Sequence, residues 1–117
     1  MPRMGVSDQL RIDLSREPER IVLSLAGELD MASAELLAQA VDREDARGAP
    51  LLVLDLQQLQ FIDSTGLRSI LTALERCRER EQEFAITPGS QQVQRLLRIT
   101  GVAEHLPTIP PTGEMVA

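Results

Sequence analysis

Four consecutive residues, Asp63-Ser64-Thr65-Gly66, concentrate the chemistry of this chain. A carboxylate precedes two hydroxyls, and a glycine follows them. Upstream, past Phe61-Ile62 and a short polar step, lies the most apolar stretch, Leu51-Leu52-Val53-Leu54-Asp55-Leu56. Downstream, Leu67, Ile70, Leu71, Leu74 and Cys77 repeat at helical spacing. The run therefore falls where a buried strand hands over to a helix N-terminus. Backbone N–H groups lack partners at such a junction, and polar side chains are exposed there. A serine in that place can be a nucleophile, a phosphate acceptor or a helix cap.

A nucleophilic serine needs a base within reach and a group that orients the base. The single histidine, His105, lies in the C-terminal Gly101–Leu106 segment. Ser64 reads Ile62-Asp63-Ser64-Thr65-Gly66, which is not a Gly-x-Ser-x-Gly elbow. Asp63 is a sequence neighbour of Ser64 rather than an established base. Asp30 and Asp63 could work as a carboxylate pair, yet both also read as helix caps. Glu28, Asp30, Asp55 and Asp63 sit near strand ends without the pattern of a calcium loop. Asp55 interrupts an apolar strand, where backbone donors or neighbouring side chains would satisfy it. No glycine-rich phosphate loop is present. The expectation is no catalytic residue, no metal site and no cofactor. A capping role for Asp63 or Ser64 would contribute about 1 kcal/mol. It leaves open why Asp, Ser and Thr stand in a row at the exposed tip of a buried strand.

Composition narrows the partners. The 117 residues suit one small domain, and a hydrophobic fraction of 43% is enough for a core. Phe61 and Phe84 are the only aromatics, so base-stacking platforms and aromatic cages have almost nothing to work with. The net charge is −6, and all 12 basic residues are arginine. An acidic chain without a basic stripe is a poor nucleic-acid binder. Without lysine there is no Schiff base and no phosphate-loop lysine. The one cysteine, Cys77, excludes an internal disulfide and reads as buried packing. No apolar run has membrane-spanning length, and the N-terminus lacks a signal-peptide core, which makes a cytoplasmic protein the expectation.

The elements that must position the serine follow from periodicity. Residues 9–14 alternate as a half-buried strand, and residues 21–26 form a second across a turn holding Pro18. Asp30 reads as the cap of a helix whose Leu36, Leu37, Ala40 and Val41 share a face, and Gly48-Ala49-Pro50 stops it. Leu51–Leu56 reads as a strand buried on both faces. The helix from Leu67, a short strand at 84–86 and a third helix capped at Ser90 and closed by Gly101 follow. A last short strand falls within 102–109. The order β-β-α-β-α-β-α-β implies a single α/β domain with a mixed, mostly parallel sheet. Sites in such sheets form at the carboxyl ends of strands, where Asp30 and Asp63-Ser64 both lie.

Four segments resemble one family in order and spacing. They are Leu25-Ala26-Gly27-Glu28-Leu29-Asp30, then Leu52-Val53-Leu54-Asp55-Leu56, then Phe61-Ile62-Asp63-Ser64-Thr65-Gly66-Leu67, and Val93-Gln94-Arg95-Leu96-Leu97-Arg98-Ile99-Thr100-Gly101. The chain is similar over about residues 8–109 to STAS domains, specifically the bacterial anti-sigma factor antagonists. The resemblance implies that Ser64 is phosphorylated by a partner anti-sigma factor that is also a serine kinase of the histidine-kinase-like ATPase type. The unphosphorylated form would bind that kinase and free the sigma factor. Phosphorylation would switch binding off, and a phosphatase would restore it. The docking surface would comprise Asp30, Asp63, Ser64, Thr65, Gly66 and Leu67. Other readings are a STAS subunit of a stressosome scaffold or of a lipid-transport ATPase, and a hydrolase using Ser64. The proline-interrupted end implies that the family's final helix is absent or reduced, with 110–117 a flexible tail.

Overall fold

The computed structural model describes residues 9–110 and the backbone of residues 3–6. A single five-stranded sheet runs in the order β1 (Arg3–Val6), β2 (Leu10–Glu17), β3 (Arg20–Leu29), β4 (Leu51–Ile62), β5 (Glu83–Ile86). The β1–β2 and β2–β3 pairs are antiparallel, and β3–β4 and β4–β5 are parallel. From β2 to β5, therefore, two ladders of three are parallel, as strand–helix alternation requires. The β2–β3 hairpin pairs Leu10 with Gly27 through to Glu17 with Arg20, around a turn at Pro18-Glu19.

Helices α1 (Ala34–Val41), α2 (Glu44–Arg47), α3 (Ser64–Glu79) and α4 (Gln91–Ile99) make the connections. Alternation in the strands places Ile12, Leu14, Ile21, Leu23, Leu25, Leu52, Leu54, Leu56, Phe84 and Ile86 in one apolar cluster. Leu37, Ala40 and Val41 of α1 and Leu67, Ile70, Leu74 and Cys77 of α3 complete it. Each large side chain so buried is worth about 1.5–3 kcal/mol. Val53 is also fully buried, between Val22 and Ala85 in the ladder, so the centre of β4 is closed on both faces.

The elements differ from the sequence expectations in five places. β1 precedes the hairpin, and α2 follows α1 before the stop at Gly48. β4 does not end at Leu56 but continues through Gln57–Gln60 to Ile62. Asp30 does not cap α1: Ser33 occupies the N-cap position, and Asp30 closes the turn before it. The last strand is reduced to a single parallel bridge between Ile86 and Thr108, because Pro107 and Pro110 cannot donate to a ladder. A 3-10 turn at Val102–His105 is the last helical element among the described residues. The expected flexible tail, from residue 111 on, lies outside them.

Candidate functional site

Asp63 ends β4 and starts α3. Its backbone is extended (φ −108°, ψ −174°), and its N–H still donates to the Leu29 carbonyl at 3.2 Å, continuing the ladder. Its carboxylate then turns to two jobs. Oδ1 accepts from the Gly66 N–H at 2.8 Å, the N-cap bond expected of an aspartate there. Oδ2 accepts from the Met31 N–H at 3.3 Å, tying α3 to the loop after β3.

That loop is held by Asp30 and Ser33. Asp30 Oδ1 accepts from the N–H groups of Ala32 and Ser33 at 3.0 and 3.2 Å. The buried Ser33 hydroxyl accepts from the Asp30 N–H at 3.0 Å and donates to the Glu28 carbonyl at 2.9 Å. Because β3 and β4 are neighbours, the two acidic loops meet at one rim of the sheet.

Gly66 makes the meeting possible. A Cβ there would lie 2.2 Å from the Leu29 carbonyl oxygen and 3.0 Å from Ile62 Cγ1. Only glycine lets the first turn of α3 rest on the end of β3.

The six residues of the expected docking surface divide accordingly. Ser64, the first residue of α3, is exposed, and its hydroxyl makes no hydrogen bond among the described residues. Asp30, Asp63 and Thr65 are half-buried beside it. Gly66 and Leu67 are buried, Leu67 at 7% exposure within the core. Leu67 anchors α3 from below, since the helical repeat carries it to the inner face.

The structure adds residues that the sequence pattern did not single out. Met31, between the two acids, is 78% exposed and sets an apolar side chain on this rim. An apolar residue in a polar loop was the available signal. Behind Ser64, a groove of about 210 Å³ separates α1 from α3 and is lined by Glu35, Ala38, Thr65, Arg68 and Arg76 among others. Arg76 is engaged by Asp42 at 3.2 Å. Arg80, a turn further, bonds the Val41 carbonyl at 3.0 Å and Asp42, closing the far end of the groove. Burial pushes the Cys77 thiol on the inner face of α3 up; nearby Arg80 opposes this and Asp42 adds to it.

Asp55 is satisfied as a strand carboxylate should be. It accepts from the Thr87 hydroxyl at 2.9 Å and from the Gln57 N–H at 3.1 Å. Among the described residues no three His, Cys, Asp or Glu side chains gather as a metal ion would need. No helix there is long and apolar enough to cross a membrane.

Comparison with known proteins agrees with this architecture. A family profile described as "Mlab, STAS domain" matches residues 8–110. The anti-sigma-B factor antagonist of Listeria monocytogenes is 28% identical over 112 residues, 96% of each chain. The anti-sigma F factor antagonist of Paenibacillus polymyxa is 29% identical over 99 residues, covering 84% of this chain and 85% of that one. The crystal structure of an anti-sigma factor antagonist from Mycobacterium paratuberculosis superimposes with a TM-score of 0.77 at 26% identity, covering 91% and 90% of the two chains.

Proposed function

The chain belongs to the STAS domain family, and from that premise we propose that it is an anti-sigma factor antagonist switched by phosphorylation of Ser64. The observation that carries the reading is the serine itself. Its hydroxyl is exposed, and among the described residues unbonded, on the first residue of α3, on a rim built by two acidic loops. The named relatives, at 28% and 29% identity, support the regulatory role.

The serine is a substrate rather than a nucleophile of this protein's own chemistry. A partner kinase transfers the γ-phosphoryl group of ATP to Ser64 Oγ. The new bond is Oγ–P, the bond broken joins the β- and γ-phosphates, ADP leaves, and the hydroxyl proton passes to a base on the kinase. A phosphatase reverses the state by hydrolysis. Both partners act on the protein in the cytoplasm.

The phosphate adds about −1.5 to −2 charge at neutral pH. The positive end of the α3 dipole tolerates it, by about 0.3–1 kcal/mol, so the fold persists. At the docking surface the same charge stands beside Asp63 and Asp30. An unpaired, desolvated charge at an interface costs about 2–5 kcal/mol, which weakens binding roughly 30-fold or more. Gly66 and Leu67 serve the surface from beneath, and Met31 provides its apolar contact.

The test is to incubate the protein with ATP and a candidate anti-sigma factor kinase of the same cell, and to map the product by mass spectrometry. Phosphate on Ser64 is expected. Ser64→Ala should bind the kinase yet take no phosphate, and Ser64→Asp should lose binding. Tight binding by Ser64→Asp would overturn the switch. Recovery from native cells of a stressosome-type scaffold or a lipid-transport ATPase, with Ser64 unmodified, would replace this reading.

A further inference from the structure

We propose that Arg68 is the built-in counter-ion of a phosphate on Ser64, holding it against α3 and keeping it fully charged at neutral pH. The inference rests on the reading of Ser64 as a phosphate acceptor and names the residue that receives the product.

Arg68 lies four residues after Ser64 in the same helix. Residues four apart share a helix face, with Cβ atoms about 5–6 Å apart. Helical side chains lean toward the N-terminus, so that of Arg68 leans back over the turn that carries Ser64. A negative group N-terminal to a positive one at this spacing is the favourable order. The guanidinium offers a planar fork of donors that fits two phosphate oxygens at once.

Arg68 is also available. It is exposed at the mouth of the groove between α1 and α3, and it makes no hydrogen bond or ion pair among the described residues. The other arginine lining that groove, Arg76, is already held by Asp42. A long exposed arginine one turn from an exposed serine, both without a partner among the described residues, is the juxtaposition that carries the proposal.

The electrostatic surroundings give the arginine something to do. The acids near the serine are Asp63 at the helix cap, Asp30 in the loop tied to Asp63 through the Met31 N–H, and Glu35 on α1, across the groove that Thr65 and Arg68 also line. Each disfavours the second ionisation of a phosphate there, which ordinarily falls near pH 6. Three carboxylates unopposed would leave part of the phosphate singly charged at neutral pH and blunt the switch. Arg68 opposes them from α3 itself, whose first turn carries no acid.

The test uses full-length protein carrying phosphoserine at position 64, incorporated during translation, with ³¹P NMR followed against pH. In the wild-type protein the second ionisation should fall about 0.2–0.4 of a pH unit below that of Arg68→Gln, the range of a helix ion pair four residues apart. Arg68→Lys, which keeps the charge but not the fork, should lie between. The Arg68 Nε–H resonance should move with the phosphate titration. Coincident titrations in all three proteins, or an unmoved Arg68 resonance, would overturn the proposal. Because the phosphate is installed without the kinase, failure of the kinase to modify Ser64 would sink the proposed function and leave this result standing.

Discussion

Replacing Gly66 with alanine asks how much of the site depends on one close approach. A Cβ at position 66 meets the Leu29 carbonyl oxygen at 2.2 Å and its carbon at 2.8 Å. Both are backbone atoms of β3, locked by the parallel ladder that pairs Leu29 with Ile62. A side-chain tip could swing away, whereas a ladder cannot, so the start of α3 must lift by about 1 Å. Overpacking of this kind costs about 1–3 kcal/mol, and the rigid neighbour places it at the top of that range. Lifting the turn also stretches the Met31 N–H contact to Asp63, already 3.3 Å, and disturbs the 2.8 Å cap bond, a loss of about 1 kcal/mol. Alanine returns about 1 kcal/mol as the better helix former. The net expectation is a loss of about 3 kcal/mol, seen as a fall in the urea midpoint of about 1–2 M. Gly48→Ala is the control. Its φ is −83° and the nearest atom to a new Cβ is 3.6 Å away, so it should be neutral or stabilise by about 0.4–1 kcal/mol. A Gly66→Ala midpoint at or above wild type would refute the reasoning that α3 is seated on the Leu29 carbonyl.

Thr87→Val removes a buried hydroxyl that bonds Asp55 and receives the Leu56 N–H, both at 2.9 Å. It should cost about 1–3 kcal/mol in urea unfolding while Thr87→Ser costs less, and equal costs would point to the methyl group instead. The Cys77 thiol is raised above 9.0, chiefly by burial, so its contribution to stability is whole below that pH and falls away as pH rises through the folded-state value. Native protein at pH 8 should resist a disulfide reagent that labels it readily in urea, and labelling at the unfolded rate would contradict the burial. Gln60 is left over in β4 between the Gly27–Leu59 and Glu28–Phe61 pairs; deleting it should leave the protein folded by circular dichroism but slow phosphorylation of Ser64, and an unchanged rate would show that this bulge does not aim the serine.

Legibility followed regularity. β3 buries Ile21, Leu23 and Leu25 at alternate positions, and α3 buries Leu67, Ile70, Leu74 and Cys77 at helical spacing, so both could be read from residue type alone, although β3 runs on past Ala26 to Leu29. The cap at Asp63 was legible because an acid precedes a helical repeat at the right offset. Asp30 presented the same local pattern and failed, since the chain makes another turn first and Ser33 takes the cap position. One carboxylate suits either role, and only the neighbouring strand decides between them. The pairing of Met31 with Asp63 spans 32 positions, and no local signal reports it. Leu67 belongs both to the Asp63–Leu67 motif and to the apolar repeat of α3, and its burial follows the phase of that repeat.

The strand that carries the serine was misjudged for a reason that also explains where the serine stands. β4 and β3 begin in register at Arg20–Leu51 and end in register at Leu29–Ile62, yet β4 spends two more residues over the same distance. The surplus falls between Asp55 and Gln58 and between Leu59 and Phe61. The β4 positions in the main apolar cluster therefore run Leu52, Leu54, Leu56, then Leu59, then Ile62, a spacing of two that becomes three. Read as simple alternation, the pattern breaks at Gln57 and the strand seems to stop. In the sheet the outward bulges absorb the odd residues, and each inward position still meets its partner on β3. Bulges sharpen local twist and bend the strand that holds them. Two in succession turn the end of β4 before it hands over to α3, while the bond from the Asp63 N–H to Leu29 keeps that end paired. The polar residues that hid the strand are thus the ones that bend it. The exposed serine, its cap and its acidic neighbours are brought to one rim by the irregular strand lying against the regular one.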